Sequence, residues 1–289
     1  MIDAHVHLWQ NQHGTVNGLP VYHLGGGRSM FGSEIRQMLP PYMTDGINSA
    51  ERLISNMDFS RVGGAVVTQE VIDGNQDNYL KQVRATWKER FRVTVLYEET
   101  RLPDTEGADG IKICAGRLKD PDLTHHTAVF SLAEKKDLFL AIDMADGDAQ
   151  TGMLRELAQH YPKLRIAIGH FGMVTRPGWM EQIRLALLPN IFVESGGITW
   201  LFNDEYYPYP SAVRAILKAR DLCGMEKLMW VSDYPRTMTA ITYRMSWDFI
   251  DKSSELTERE KHLFFHENAH AFYRFGVLPD LPLIHHMAE

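Results

Sequence analysis

Cysteine is almost missing from this chain. Only Cys114 and Cys223 occur in 289 residues, too few for a disulfide framework. Neither falls in a Cys-x-x-Cys or zinc-finger spacing, so both read as reduced core thiols. Charge of one sign is scarce too: 30 Lys and Arg stand against 37 Asp and Glu. The chain is mildly acidic, and it holds no basic run to follow a phosphate backbone, which excludes nucleic acid as a partner. No apolar run approaches the roughly 20 residues that span a bilayer, and the first residues lack the charged and apolar regions of a secretory leader. The expectation is a cytoplasmic protein with no membrane partner. Internal repeats, linkers and low-complexity blocks are lacking as well, which points to one domain over residues 1–289. A glycine-rich phosphate fingerprint follows no strand. Gly25-Gly26-Gly27 lies in a long loop and reads as a flexible lid, so a dinucleotide fold is disfavoured.

What the chain does have is alternation. Short apolar runs rich in β-branched residues at 2–9, 63–69, 92–97, 109–114, 138–144, 164–170, 191–195 and 228–232 read as strands. Helical stripes fall between them, such as Tyr79, Leu80, Val83 and Trp87, or Met153, Leu154, Leu157, Ala158 and Tyr161. Pro177 opens a helix carrying Trp179, Ile183 and Leu187, and Pro210 opens another closed by Gly224. Thr257 and Glu260 spell a capping box for a terminal helix toward Phe272. Residues 99–107 are too short and polar for a full helix. Apolar strands separated by single helices imply a parallel sheet coated by helices. Eight such units favour closure into a (β/α)8 TIM barrel, with an open doubly wound sheet as the alternative. The first βα connection, from Gln10 to about Ile47, is long enough to serve as a lid over the site.

Catalytic groups of a parallel barrel sit at the C-terminal strand ends, so the polar residues ending each run are the candidates. They are His5 and His7 on the first strand, Glu70 after the second, Lys112 on the fourth, Asp143 on the fifth, His170 on the sixth, Glu194 on the seventh and Asp233 on the eighth. Any one of them has a plain reading as a helix cap or solvated rim, but together they converge on one mouth. Side chains alternate along a strand, so His5 and His7 share a face. Apolar Ile2, Ala4, Val6 and Leu8 between them suggest a covered outer face and argue against a solvent-facing pair. The eighth strand closes against the first and brings Asp233 to both, a common ligand set for zinc or a similar ion.

His170 has a structural alternative as a core histidine on a backbone carbonyl, although Gly169 and Gly172 leave room for a ligand. Arg28, Arg176 and Arg236 lie on mouth-side loops, as partners for a substrate carboxylate or as surface ion pairs. Trp200, Phe202, Tyr206, Tyr207 and Tyr209 crowd the loop after the seventh strand, as a stacking platform or an ordinary packed loop.

Four segments taken together, Met1 to Leu8, Tyr161 to Gly172, Leu228 to Pro235 and Glu267-Asn268-Ala269, resemble the amidohydrolase superfamily, specifically amidohydrolase family 2, in the right order over the whole chain. The resemblance implies a TIM-barrel hydrolase or decarboxylase with His5 and His7 as metal ligands, Asp233 as ligand or proton acceptor and His170 at the substrate. The stretch from Gly169-His170 to Arg176-Pro177, with Ser195-Gly196-Gly197 after it, is most similar to the sugar-lactone and dicarboxylate-lactone hydrolases. One departure is evident: many members carry a histidine at the end of strand five, where this chain has Asp143. Glu70 or Asp143 could fill that place with a carboxylate, or the site could bind one ion weakly with more water; the candidate metal ligands are His5, His7, Asp233, Glu70 and His170. Lys112 stands where binuclear relatives carry a carbamylated lysine and mononuclear ones also keep a lysine. One divalent ion is expected, zinc first and manganese or iron as alternatives. A metal-free lactonase stays open, since some members of that branch work without metal.

The leading expectation is therefore metal-assisted hydrolysis of a lactone or related cyclic ester of sugar-acid or aromatic-catabolic origin. Asp233, His170 and Lys112 act on the reacting atoms, and Arg28, Arg176, Arg236, Trp200 and Tyr207 bind substrate. A nonoxidative decarboxylase of an unsaturated or aromatic acid is the alternative, which the missing strand-five histidine disfavours. A non-catalytic barrel binding a sugar acid or a protein is the third. The partner is a small molecule, with a homo-oligomer left open.

Overall fold

In the computed structural model, which describes residues 1–285 and 287, the chain forms two sheets. Eight parallel strands make the larger: β1 (Ile2–His7), β6 (Gly64–Thr68), β7 (Phe91–Leu96), β8 (Gly110–Ile113), β9 (Phe139–Ile142), β10 (Ile166–Ile168), β11 (Ile191–Glu194) and β12 (Leu228–Met229), each beside the next. The last strand is shorter than the expected 228–232, because beyond Met229 the backbone meets β1 only at points. Ala4 N–H donates to the Trp230 carbonyl at 3.1 Å and His7 N–H to that of Tyr234 at 2.8 Å. The Ser232 N–H goes to the Asp3 side chain instead of a ladder carbonyl. These contacts close the barrel. No helix among the described residues is long and apolar enough to cross a membrane.

The strands are buried along nearly their whole length because helices cover them outside. The coat includes Ala50–Phe59, Asp77–Thr86, Thr127–Lys135, Thr151–His160, Trp179–Arg184, Pro210–Cys223 and Met245–Asp251. Their apolar stripes meet outward-facing Val67, Ile111, Leu140, Ile142 and Val193 in the main core. Between β7 and β8 the chain makes only a Glu98–Arg101 bridge and a turn, in keeping with the polar 99–107 stretch. Leu187 departs from its expected stripe: the helix after Gly178 tightens into a 3-10 turn, and the side chain is 58% exposed.

A second cluster fills the barrel interior, where Ile2, Ala4, Phe139, Ala141, Ala167 and Met229 meet Phe272, Tyr273 and Phe275. The last three belong to or follow the terminal helix Asn268–Tyr273, which plugs the end of the barrel opposite the mouth. The Thr257–Glu260 capping box starts that helical run, and a π turn at Leu263–Glu267 interrupts it.

Ile2 and Ala4 were expected on the outer face with Val6 and Leu8. A bulge in β1 separates them. Asp3 pairs with Ala65 and Val6 with Val67, so the segment between carries one extra residue and the alternation changes phase. Ala4 thus belongs to the inner cluster, Val6 and Leu8 to the outer one, and both histidines still face the mouth.

The long first connection is not an open loop. It folds into a four-stranded antiparallel sheet, β2 (Thr15–Val16), β3 (Leu19–Gly25), β4 (Arg28–Phe31) and β5 (Glu34–Gln37). Gly25-Gly26-Gly27, expected as a flexible lid, is the β3–β4 turn. All three residues take positive φ, which glycine accepts without strain. Backbone N–H groups of Met38 and Leu39 donate to the Gly27 carbonyl and the Gln37 amide to that of Gly26, so the turn is pinned.

Candidate metal and catalytic centre

His5 and His7 lie with ring centroids 4.8 Å apart, both buried. Each imidazole has one nitrogen held by a carboxylate. His5 Nδ1 is 2.7 Å from Glu194 Oε2, and His7 Nε2 is 3.1 Å from Asp233 Oδ1. A carboxylate accepts only, so these nitrogens carry the protons, and the lone pairs sit on His5 Nε2 and His7 Nδ1. Those two atoms are buried without a hydrogen-bond partner. Burial pushes both imidazole pKa values down, helped by Lys112 at His5 and by Arg236 at His7, which keeps them neutral. Ligand atoms of His5, His7 and Asp233 lie within 4.8 Å of one another, so the donor set fits a divalent ion.

Asp233 sits just past β12 in the left-handed region at φ 57°. Trp200 Nε1 donates to its Oδ2 at 2.6 Å, so both carboxylate oxygens are engaged. Burial alone would raise this carboxyl. The hydrogen bond from His7 and the charges of His170 and Arg236 outweigh it and hold Asp233 well below the usual range.

A second set of charges adjoins the first. Lys112 Nζ, fully buried, stands 2.6 Å from Asp143 Oδ2 and 3.9 Å from Glu70 Oε1. His170 Nδ1 is 3.2 Å from the other oxygen of Asp143. Burial opposes every charge here. Even so, Lys112 and His170 hold Asp143 well below the carboxylate range, and Asp143 lifts His170 to about 9. Glu70, buried beside Asp143, rises to about 7. Of the two residues proposed for the missing strand-five histidine, Asp143 is thus ion-paired to two cations, whereas Glu70 is paired only with Lys112, at 3.9 Å. Ligand atoms of Glu70 and His170 also come within 4.8 Å of His5, but His170 in its charged form has no lone pair to offer.

The mouth opens into a cavity of about 630 Å³, lined in part by Glu70, Asp143, His170, Trp200, Asp233 and Arg236. Arg236 also donates to Asp73 at 2.6 Å. The other expected substrate contacts lie elsewhere. Arg28 is exposed on β4 and donates to the Gly25 carbonyl, while Arg36 on β5 lines the cavity. Arg176 is exposed and ion-paired to Asp146 at 3.3 Å, outside the lining. Tyr207 points its hydroxyl to Asp248 at 2.7 Å, away from the mouth. Arg117, just after β8, lines the cavity and was not singled out in the sequence, nor was a role for Glu194, whose strand-end position was its only signal.

The Amidohydro_2 (amidohydrolase) family model matches residues 2–275. No curated protein matches the chain in sequence. Solved structures do match in fold. One is described as a probable 2-pyrone-4,6-dicarboxylic acid hydrolase from Acinetobacter baumannii with citric acid bound (TM-score 0.72, 16% identity, covering 95% of this chain and 99% of that one). Another is an amidohydrolase from Burkholderia multivorans with bound zinc (TM-score 0.69, 15% identity, 95% and 99% covered). A third is 5-carboxyvanillate decarboxylase from Sphingomonas paucimobilis (TM-score 0.56, 16% identity, 86% and 89% covered). With the barrel, the strand-end donors and a family match over nearly its whole length, the chain belongs to amidohydrolase family 2.

Proposed function

We propose that this chain hydrolyses a lactone or related cyclic ester that carries a carboxylate, with one divalent ion, zinc first, held by His5, His7 and Asp233. The observation that carries the reading is a pair of buried imidazoles, each with one unpartnered nitrogen, whose ligand atoms lie within 4.8 Å of the depressed Asp233 carboxylate, and Asp233 itself lines a cavity that also presents Arg36, Arg117 and Arg236. A bound ion would supply carbonyl polarisation and acidification of a water. Asp233 takes the proton from the attacking water and returns it to the leaving alkoxide, and Trp200 keeps that carboxylate aimed. His170, with Nδ1 committed to Asp143, keeps its Nε2–H for the charge that develops on the carbonyl oxygen. Lys112 acts through Asp143, holding it ionised so that His170 stays protonated. The arginines place the substrate carboxylate.

A panel of carboxylated lactones, followed by acid release at constant pH, tests the reading. Turnover should release one proton equivalent and no carbon dioxide. Carbon dioxide evolution from aromatic acids, with the lactones inert, would instead establish the decarboxylase reading that a neighbour in fold suggests. Arg36→Gln gives a finer check. The residue is exposed on the lid, and its loss should leave the fold intact. We expect KM to rise roughly 3–10-fold with kcat little changed, the size of one part-exposed charge-assisted contact. An unchanged KM would remove Arg36 from the binding set.

A further inference from the structure

The plug at the far end of the barrel reaches the centre through one polar thread. Tyr273, the last residue of the terminal helix, is buried with its ring edge-on to Phe139 at 4.8 Å. Its hydroxyl donates to Glu194 Oε1 at 2.5 Å, and the second oxygen of the same carboxylate accepts from His5 Nδ1 at 2.7 Å. Glu194 ends β11 with no exposed surface. Both its oxygens are thus engaged, one by the plug and one by the centre.

We propose that Tyr273 is a positioning residue: through Glu194 it fixes His5 as the Nδ1–H tautomer, so that the lone pair of Nε2 is presented to the mouth. The bulge in β1 makes such a fixture necessary. An extra residue between Asp3 and Val6 turns His5 inward off the regular ladder, so the ring orientation rests on what its Nδ1 meets. A carboxylate held at one oxygen alone would be free to rotate. With the phenol on Oε1, Oε2 stays on the imidazole. Neutral histidine that donates one N–H to a carboxylate and offers the other nitrogen is the arrangement through which outer groups tune a ligand. The inference rests on the proposed function only for what His5 binds; the tautomer itself is a property of the metal-free chain.

The test uses the full chain and Tyr273→Phe, which keeps the ring in its packing and removes only the hydroxyl. Long-range 15N–1H spectra of the metal-free protein, with His5 assigned by its loss in His5→Gln, should show a single Nδ1–H tautomer in the wild type and a mixture in Tyr273→Phe. Zinc affinity, read by competition with a chromophoric chelator, should fall about 10–100-fold, the usual cost of losing an outer partner. Glu194→Gln, whose amide can donate to Nδ1, should drive His5 to the Nε2–H form and weaken zinc further. A single Nδ1–H tautomer in Tyr273→Phe overturns the proposal, as does zinc affinity equal to the wild type. If Glu194→Gln does not fold, Tyr273→Phe decides alone. If the wild type binds no zinc, the metal reading fails, and the tautomer comparison still decides the role of Tyr273.

Discussion

Asp233→Asn is expected to lower kcat/KM by about 10²–10⁴-fold, the range lost with a positioned proton acceptor, while the barrel stays folded. The structure gives two reasons for so large an effect. Asparagine has no basic oxygen to take the proton. It also disrupts its neighbours, because Asp233 accepts from Trp200 Nε1 at one oxygen and from His7 at the other. An amide offers only one acceptor, so its NH2 group must face one of these donors. Facing His7, it would force the imidazole proton onto Nδ1, the nitrogen that now carries the unpartnered lone pair. The backbone favours this substitution over alanine: Asp233 lies at φ 57°, a region asparagine tolerates and β-carbon residues generally resist. Circular dichroism and the thermal midpoint check the fold, and initial rates on the best lactone check the loss. A variant that folds and turns over within tenfold of the wild type would falsify the role of Asp233 as proton acceptor.

The parts of this centre that were legible in the sequence are those set by strand ends. His5, His7, Lys112, Asp143, His170 and Asp233 each close an apolar run, and a closed parallel barrel gathers such ends whatever its loops do. Phase within a strand was less legible. The β1 bulge leaves no trace in the alternation of Ile2, Ala4 and Val6, because alanine and valine are apolar on either face, and only the pairing register reveals the extra residue. Loop residues were least legible. Arg28 and Arg36 lie on neighbouring strands of the lid sheet, and which of them meets the cavity depends on how that hairpin is laid over the mouth, a tertiary fact. Tyr207 sits among aromatics that look like a stacking platform. Its hydroxyl is drawn instead to Asp248, more than forty residues later in sequence, a partner that no local pattern announces. The Tyr273 thread has the same origin: a helix expected only to cap the barrel delivers a hydroxyl to a strand-end glutamate.

Lys112→Met should destabilise the protein by about 3–5 kcal/mol, the cost of breaking a buried ion pair by removing one partner. Methionine fills a similar volume, so the loss is of charge and not of packing. Lys112 is fully buried, and its ammonium stands between Asp143 and Glu70. Without it, Asp143 keeps only His170 as a counter-charge. The pH dependence follows from the directions of the shifts. Asp143 is held well below its unfolded value, so its contribution is present above about pH 4 and lost as pH falls through the depressed folded value. His170 is raised to about 9, so its contribution is full below its unfolded value near 6.5 and is lost as pH rises through about 9. The contributions of Asp143 and His170 are therefore both full between about pH 4 and 6.5. In Lys112→Met the Asp143 carboxyl is released upward, which moves the acid limb toward neutral pH. The stability gap between the two proteins should be wide near pH 7 and narrower toward pH 3, where the released Asp143 carboxyl of the variant takes up a proton and no unpaired charge remains. Adding Asp143→Asn to Lys112→Met should recover part of the loss, because no unpaired charge then remains. Thermal midpoints across pH 3 to 9 measure this. A gap of constant size over that range, or a double variant no better than the single one, would show that Lys112 does not hold the charge of Asp143.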